Sequence, residues 1–285
     1  MIYIVTPVYN RKKYTKNYLN ALKKQSVKDF KVIIVDDGST DGTSEMIEQE
    51  FPEVILLKEN GDLWWAEATN IGVKYALAHA TDYIMTLNDD TVPESDYIEN
   101  MIFWSNRKPD ALLGALAIDI NTGKPIGGGF LHSWKKPRTS ANLVHILEEK
   151  ELVGLVKVDN FPGRGLLIPR KVFDKIGLYD SENFPQAAAD DDFSYRAINA
   201  GYEIFCNCDA KINSFPDESG GVYLKKNKNL KNFYKHLFSI KGSGNLIFFT
   251  RLAIKNCPKK RYLLKYLFLG WSNRIGGYLK EWIFE

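Results

Sequence analysis

The chain has 285 residues, 45% of them hydrophobic, enough to bury the core of one large domain or of a domain with an appendage. Its three cysteines, Cys206, Cys208 and Cys257, exclude a disulfide framework, and no second Cys or His pair accompanies Cys206 and Cys208 at zinc-like spacing, so a reduced, cytosolic compartment fits. The net charge of +3 hides an asymmetry: residues 221–285 hold 14 Lys and Arg against two acids, with 13 aromatic residues among them, whereas the first 220 residues are net acidic.

The opening "MIYIVTPVYN" has no basic leader before an apolar stretch, so no signal peptide is expected. No window of about 18 residues is apolar and uncharged, so no membrane-spanning helix is expected either. From the start the chain alternates two patterns. "IYIVT" (2–6) is β-rich, and 14–25 places Tyr14, Tyr18, Leu19 and Leu22 on one helical side. "KVIIVDD" (31–37) is an apolar run suited to a strand buried on both faces. A helix over 43–51 follows behind an Asp41/Thr43 cap, then a strand over 54–58, a helix over 66–80 and a strand over 83–87. Repeated β-α units of this length predict an α/β fold: a mixed, mostly parallel sheet with helices on both faces.

Residues 110–220 read as mixed strands and helices. Residues 127–151 are Gly-rich, then basic, then helical in pattern, and suit an acceptor-facing loop. Beyond 228 the pattern predicts two or three amphipathic helices, broken near Gly242/Gly244, Pro258 and Gly276/Gly277. The expected division is a catalytic domain over 1–220 and a basic, aromatic helical extension over 221–285. The extension's charge and rings suit an anionic membrane surface, although packing on the body would use the same residues. No nucleic-acid partner is expected.

In a parallel sheet, ligands bind at the carboxyl ends of the strands. Four polar clusters fall there: "TPVYNR", "DDGSTDG", "ENGDLWW" and "LNDDT". A nucleotide needs a stacking surface, which Tyr9 offers, and an acceptor for a base imide, which a carboxylate of "VDDGS" offers. A nucleoside diphosphate brings hard oxygens and with them Mg²⁺ or Mn²⁺, which takes one or two carboxylates such as Asp90 and Asp89. Alone, "LNDDT" reads equally well as a capped turn. In "AAADDDFSYR" (187–196), three acids in a first helical turn suit the macrodipole, and they equally suit a general base.

In order and spacing, "TPVYNR", "VIIVDDGSTDGT", "NGDLWWAEATNIG", "LNDDT", "GRGLLIPRKVFDKIGLYD" and "DDDFSYRAINAGY" resemble family 2 glycosyltransferases of the GT-A fold, over residues 1–215. The resemblance implies an inverting sugar transfer from a UDP- or dTDP-sugar to a saccharide or lipid-linked acceptor in surface polysaccharide synthesis. It implies Mn²⁺ or Mg²⁺ at Asp90, with Asp89 beside it. Pro7, Tyr9 and Asp37 would contact the base, Asp37 at the imide, with Asn70 and Trp65 completing the nucleotide site. Asp190 would be the catalytic base. Asp192 and Asp191 would face the acceptor above the loop of Arg164 and Gly165. Of the two tryptophans, one ring could line the donor sugar, or both could pack in the core.

Two departures stand out. Glu67 and Thr69 occupy the stretch where many relatives carry a basic residue, and Ser214 stands where many carry a metal-binding histidine, so either Asp217 substitutes or the site binds metal weakly. The four histidines, His79, His132, His145 and His236, are expected to be structural or solvated. A sugar-phosphate nucleotidylyltransferase would want a Gly-rich loop after the first strand, and "TPVYNRKKY" has none. A non-catalytic nucleotide- or carbohydrate-binding module would have no need of both Asp90 and Asp190. Cysteine usage suits a cytoplasmic protein, and the basic aromatic tail suits one peripheral at the inner face of the cell membrane.

Overall fold

The computed structural model describes residues 1–135, 141–215, 229–240, 242 and 244–284. The first half winds β1 (Ile2–Val8), α1 (Lys12–Lys23), β2 (Phe30–Asp36), α2 (Thr43–Glu50), β3 (Ile55–Lys58), α3 (Trp64–Leu77) and β4 (Tyr83–Thr86). There follow β5 (Thr91–Pro93), α4 (Tyr97–Ser105), β6 (Leu112–Asp119), β7 (Pro125–Gly127), β8 (Phe130–Leu131) and β9 (Ala141–Asn142). The body closes with β10 (Leu155–Val158), β11 (Leu166–Pro169), α5 (Arg170–Ile176), α6 (Ala189–Asn199) and β12 (Ile204–Ser214). Three more helices come after it: α7 (Leu230–Phe238), α8 (Leu246–Asn256) and α9 (Lys260–Phe284).

The main sheet is mixed, in the order β10-β12-β6-β11-β4-β1-β2-β3. Strands β3, β2, β1 and β4 run parallel, so all four expected strand-end clusters emerge along one edge. β11 runs antiparallel between β4 and β6, so it starts at that edge and the loop before it lies there too. Side-chain alternation splits β1 between two apolar layers. Tyr3 and Val5 join Ile33, Val35 and Ile84 beneath α3 and α6. Ile2, Ile4 and Val8 join Ile34, Met85 and Leu87 beneath α1, α2 and α4. Each such Ile, Leu or Val contributes about 1.5–3 kcal/mol on burial, so a one-residue slip would forfeit both layers at once.

Two expectations are corrected. Among the described residues of 127–151 the helical pattern yields two 3₁₀ turns, Leu143–His145 and Glu149–Glu151, and no α-helix. Local side chains close them: Asn142 accepts from the Val144 N–H, and Glu151 reaches back to the Glu148 N–H. The second correction concerns Gly276 and Gly277, which do not break α9. Both lie where nothing approaches a would-be Cβ, and Tyr266 and Tyr278 anchor the helix on either side. The break at Pro258 is present, between α8 and α9. Phe248 and Leu252 of α8 belong to the same apolar layer as α3 and α6, so these helices pack on the body. The 220/221 boundary itself lies outside the described residues.

Candidate active site

At the carboxyl edge of β3-β2-β1-β4 lies a cleft of about 610 Å³. Pro7 and Tyr9 reach it from β1 and the segment after it, Asp37 and Gly38 from the end of β2, Asn60, Gly61 and Asp62 from the end of β3, and Trp64, Trp65 and Ala68 from the start of α3. Tyr9 leaves 57% of its surface exposed, so its ring is available to a ligand in the cleft. Asp37 is buried, and its carboxylate accepts from the backbone N–H groups of Leu63 (3.1 Å) and Trp64 (3.3 Å). A carboxylate has about four lone-pair sites, so capacity for a base N–H remains. Four non-glycine residues with left-handed backbone, Asn10, Asp62, Trp64 and Ala188, lie in or beside these loops. Such conformations cost about 1–3 kcal/mol each and concentrate at functional sites.

The turn after β4 holds the first acidic pair. Asp89 is buried, accepts from the Thr15 hydroxyl (2.9 Å) and pairs with Arg11 Nε at 3.1 Å. Burial nevertheless raises its pKa to about 6, against the pull of Arg11. Asp90 meets Arg11 Nη2 at 3.5 Å through one oxygen, while its Oδ1 is buried without a hydrogen-bond partner. An orphaned carboxylate oxygen beside a cleft is the feature that a cation ligand requires, so the residues fit a divalent ion held by Asp90 and substrate oxygens. No cluster of three or more His, Cys, Asp or Glu suited to a metal occurs among the described residues. Asp217 lies outside them; Ser214 is buried at the end of β12 and accepts from Arg164 Nη1 (3.3 Å).

The second acidic run opens α6. Asp190 accepts from the Gly163 N–H (3.3 Å) and the Asp191 N–H (3.0 Å). Burial first, then the neighbouring Asp191 charge, raise Asp190 to about 7, and burial also raises Asp191. Asp191 accepts from the Asn160 amide. Trp65 ties this region to the loops of the cleft. Its indole N–H donates to Asn88 Oδ1 (3.1 Å), and its ring lies so close over Gly163 that a Cβ there would sit 2.3 Å from it. Gly165 supports the loop from below in a left-handed conformation (φ 81°), its N–H donating to Thr86 O at 2.7 Å.

Residues 3–177 match the family model described as Glycosyl transferase family 2. The chain belongs to that family. It is 24% identical over 236 residues to the poly-beta-1,6-N-acetyl-D-glucosamine synthase of Staphylococcus aureus, covering 76% of this chain and 51% of that protein. It is 30% identical over 103 residues to glycosyltransferase GlyA of Streptococcus pneumoniae, covering 35% and 14%. The chain thus spans about half the length, or less, of these curated relatives. Among solved structures, the mannosyltransferase PcManGT of Pyrobaculum calidifontis with GDP-Man and Mn²⁺ aligns with a TM-score of 0.62 at 17% identity, over 98% of this chain and 73% of that one. S. aureus TarS 1–349 with UDP-GlcNAc aligns with a TM-score of 0.56 at 16% identity, over 99% and 91%. The GT-A fold expected from the family 2 resemblance is the fold observed.

Within this family 2 framework, two expected site residues point elsewhere. Asp192 does not face an acceptor: it is fully buried, bonded to Arg196 Nε (2.7 Å), Lys255 Nζ (3.0 Å) and Asn256 Nδ2 (2.8 Å). The i,i+4 spacing to Arg196 foreshadowed part of this, but the other partners come from α8. Asn70 is no part of the cleft either. Its amide exchanges two bonds with the backbone of Tyr179 (2.9 and 3.0 Å), clamping α3 to the segment before α6. The sequence reading missed Arg11, Asn60, Gly61, Asp62 and Gln186, all lining the cleft. Arg11 was visible in "TPVYNR" directly after a strand end, a cation beside an anion site. Gln186, which accepts from the Trp65 N–H at 3.1 Å, left no signal.

Proposed function

We propose that the protein is an inverting glycosyltransferase that moves a sugar from a nucleoside-diphosphate donor to a hydroxyl acceptor, with Asp190 as the base. The observation that carries this reading is the Trp65 bridge: one side chain contacts the donor cleft, Asn88 and the Gly163 loop whose N–H holds Asp190. Donor and base are thereby fixed against each other, which is where an enzyme gains over a binding module. Uridine or thymidine suits Asp37, because the imide N–H of either base needs a buried acceptor. Tyr9 and Pro7 would cover the base and ribose. The relatives that hold UDP-GlcNAc and GDP-Man support a sugar-nucleotide donor.

Asp90 would hold a divalent ion, with Asp89 behind it, and the ion would stabilise charge on the departing diphosphate. Arg11 contacts both carboxylates and supplies fixed positive charge to the same oxygens. Asp190, with a proton affinity raised towards neutrality, is matched to accepting a proton from a sugar hydroxyl. Direct displacement requires this one base and inverts the anomeric centre. Arg164 and Gly165 would line the acceptor side, with Asp191 beside the base. The likeness to a poly-beta-1,6-N-acetyl-D-glucosamine synthase supports a saccharide acceptor, free or lipid-linked. The basic, aromatic α7–α9 region would meet an anionic membrane surface from the cytoplasm; no helix among the described residues is long and apolar enough to cross a membrane.

The test is a nucleotide-sugar panel read by thermal shift with and without Mn²⁺, followed by donor hydrolysis with the donor that stabilises most. UDP- or dTDP-sugars should raise the unfolding temperature in a Mn²⁺-dependent way. Stabilisation by nucleoside triphosphates together with pyrophosphate release would favour the nucleotidylyltransferase reading instead.

A further inference from the structure

Helix α3 begins at Trp64, and the N–H groups around its first turn have no partners within the helix. They are divided between two distant parts of the chain. The N–H groups of Leu63 and Trp64 donate to the Asp37 carboxylate, at 3.1 and 3.3 Å. Those of Trp65 and Ala66 donate to the segment before α6, to Gln186 Oε1 at 3.1 Å and to the Pro185 carbonyl at 3.0 Å. Asp37 and Gln186 therefore flank one helix terminus, and both line the cleft.

The bond to Trp65 fixes more than the position of Gln186. A backbone N–H can only donate, so the atom that meets it must be the amide oxygen. The Gln186 NH₂ group is then turned away from that N–H, and neither of its hydrogens has an acceptor among the described residues. The side chain is exposed at the cleft wall rather than packed beneath it.

Its place along that wall decides what it can meet. Tyr9 and Asp37 suit a base. The Trp65 side chain leads away from them: its indole N–H donates to Asn88 Oδ1, next to Asp89 and Asp90, and its ring lies against Gly163, whose N–H donates to Asp190. Gln186 is bonded to the backbone of that same tryptophan and precedes Asp190 by four positions. The sugar of a bound donor must lie between a diphosphate at Asp90 and a base at Asp190, along the strip that Trp65 and Gln186 border.

We propose that Gln186 is a specificity-determining residue: its NH₂ group donates to an oxygen substituent of the transferred sugar, while its own oxygen caps α3. This rests on the reading of the cleft as a sugar-nucleotide site. The two ends of one amide have separate tasks, and a single substitution separates them.

The experiment compares, by calorimetry at about pH 8, the affinity of the full chain for the UDP- or dTDP-sugar that stabilises it most with its affinity for the matching free diphosphate. The ratio reads the sugar alone, because base and phosphates are common to both. Gln186→Glu keeps an oxygen that accepts from Trp65 but, being ionised, has no hydrogen to give. Its added charge acts on both ligands alike. Its ratio should fall about 3–10-fold, the contribution of one neutral hydrogen bond. Gln186→Ala should lose as much, and should also unfold at lower urea because the Trp65 N–H loses its acceptor, whereas Gln186→Glu should unfold no earlier than the wild type. A wild-type ratio in Gln186→Glu would overturn the proposal and leave Gln186 as a cap alone. A wild-type ratio in Gln186→Ala would overturn it equally, and if that variant does not fold, Gln186→Glu decides. The sugar-nucleotide reading fails separately, and takes the proposal with it, if no sugar nucleotide binds the wild type.

Discussion

Two of the chain's short acidic runs, Asp89–Asp90 after β4 and Asp190–Asp192 opening α6, are built differently. In each, one carboxylate belongs to the scaffold: Asp89 to Thr15 and Arg11, Asp192 to Arg196, Lys255 and Asn256. In each, another is the residue proposed to act: Asp90 on the ion, Asp190 on the proton. The turn after β4 places a guanidinium directly on its pair, so its charge is offset at contact distance. The α6 run gives Asp190 only two backbone N–H groups and burial. Contact cations favour the ionised form and suit a place that gathers cations and phosphate oxygens. Burial beside a like charge favours the protonated form and suits a group that must take up a proton.

The sharpest way to break this contrast is Asp190→Asn. An amide cannot serve as the base, so transfer should fall about 10²–10⁴-fold, with UDP affinity by calorimetry unchanged. A nearly normal rate would remove α6 from the chemistry. In the wild type, the rate should climb with pH towards a plateau above about 7, because the base must be ionised. The linked effect on stability has the opposite sign. Asp190 binds its proton more tightly folded than unfolded, so its contribution to stability falls as pH rises from about 4 to about 7.

Asp192→Asn separates scaffold from site within the same run. Losing a buried charge from between Arg196 and Lys255 should cost about 3 kcal/mol, discounted because Lys255 is partly exposed. Urea unfolding monitored by fluorescence would read this directly. An unchanged midpoint with lost transfer would return Asp192 to the acceptor.

At the other run, Asp90→Asn should abolish most of the Mn²⁺ dependence of UDP-sugar binding, by more than the roughly 10–100-fold that losing an outer-shell partner of a metal costs. Unaltered Mn²⁺ titrations would mean that Arg11 alone carries the phosphate charge. The smallest expected change is Asp37→Ala, about 1–3 kcal/mol in uridine nucleotide binding, read by calorimetry; equal affinity would free Asp37 from base recognition.

The sheet half of this architecture was legible because its code is local. Apolar runs such as 31–35 specify buried strands, and the polar segments at their ends fall on one edge once the strands run parallel. Tyr9 and a carboxylate after β2 followed from that geometry, the family 2 resemblance added Pro7, Asp37 and Trp65, and all four residues line the cleft. The roles that escaped depend on residues far away in sequence. Asn70 is occupied by Tyr179, 109 positions on, and Asp192 by residues 63 and 64 positions on. Local pattern says that a buried carboxylate needs partners; it does not say which helix brings them. At Gly276 and Gly277 the weak local propensity was real, and packing of α9 overrode it.

The pairing of Asp192 also sets an order of events as the chain is made. Synthesis delivers the N-terminal strands first, at about 5–20 residues per second, and they can collapse early around β1 and β2. Helix α6 can form in its turn, but it carries a carboxylate destined for burial whose lysine and asparagine partners are not yet synthesised. Until Lys255 and Asn256 arrive, sealing Asp192 leaves its charge only partly matched, by Arg196. The cleft at the strand ends can therefore form from residues made early, whereas the burial of Asp192 in α6 is completed only by residues of α8.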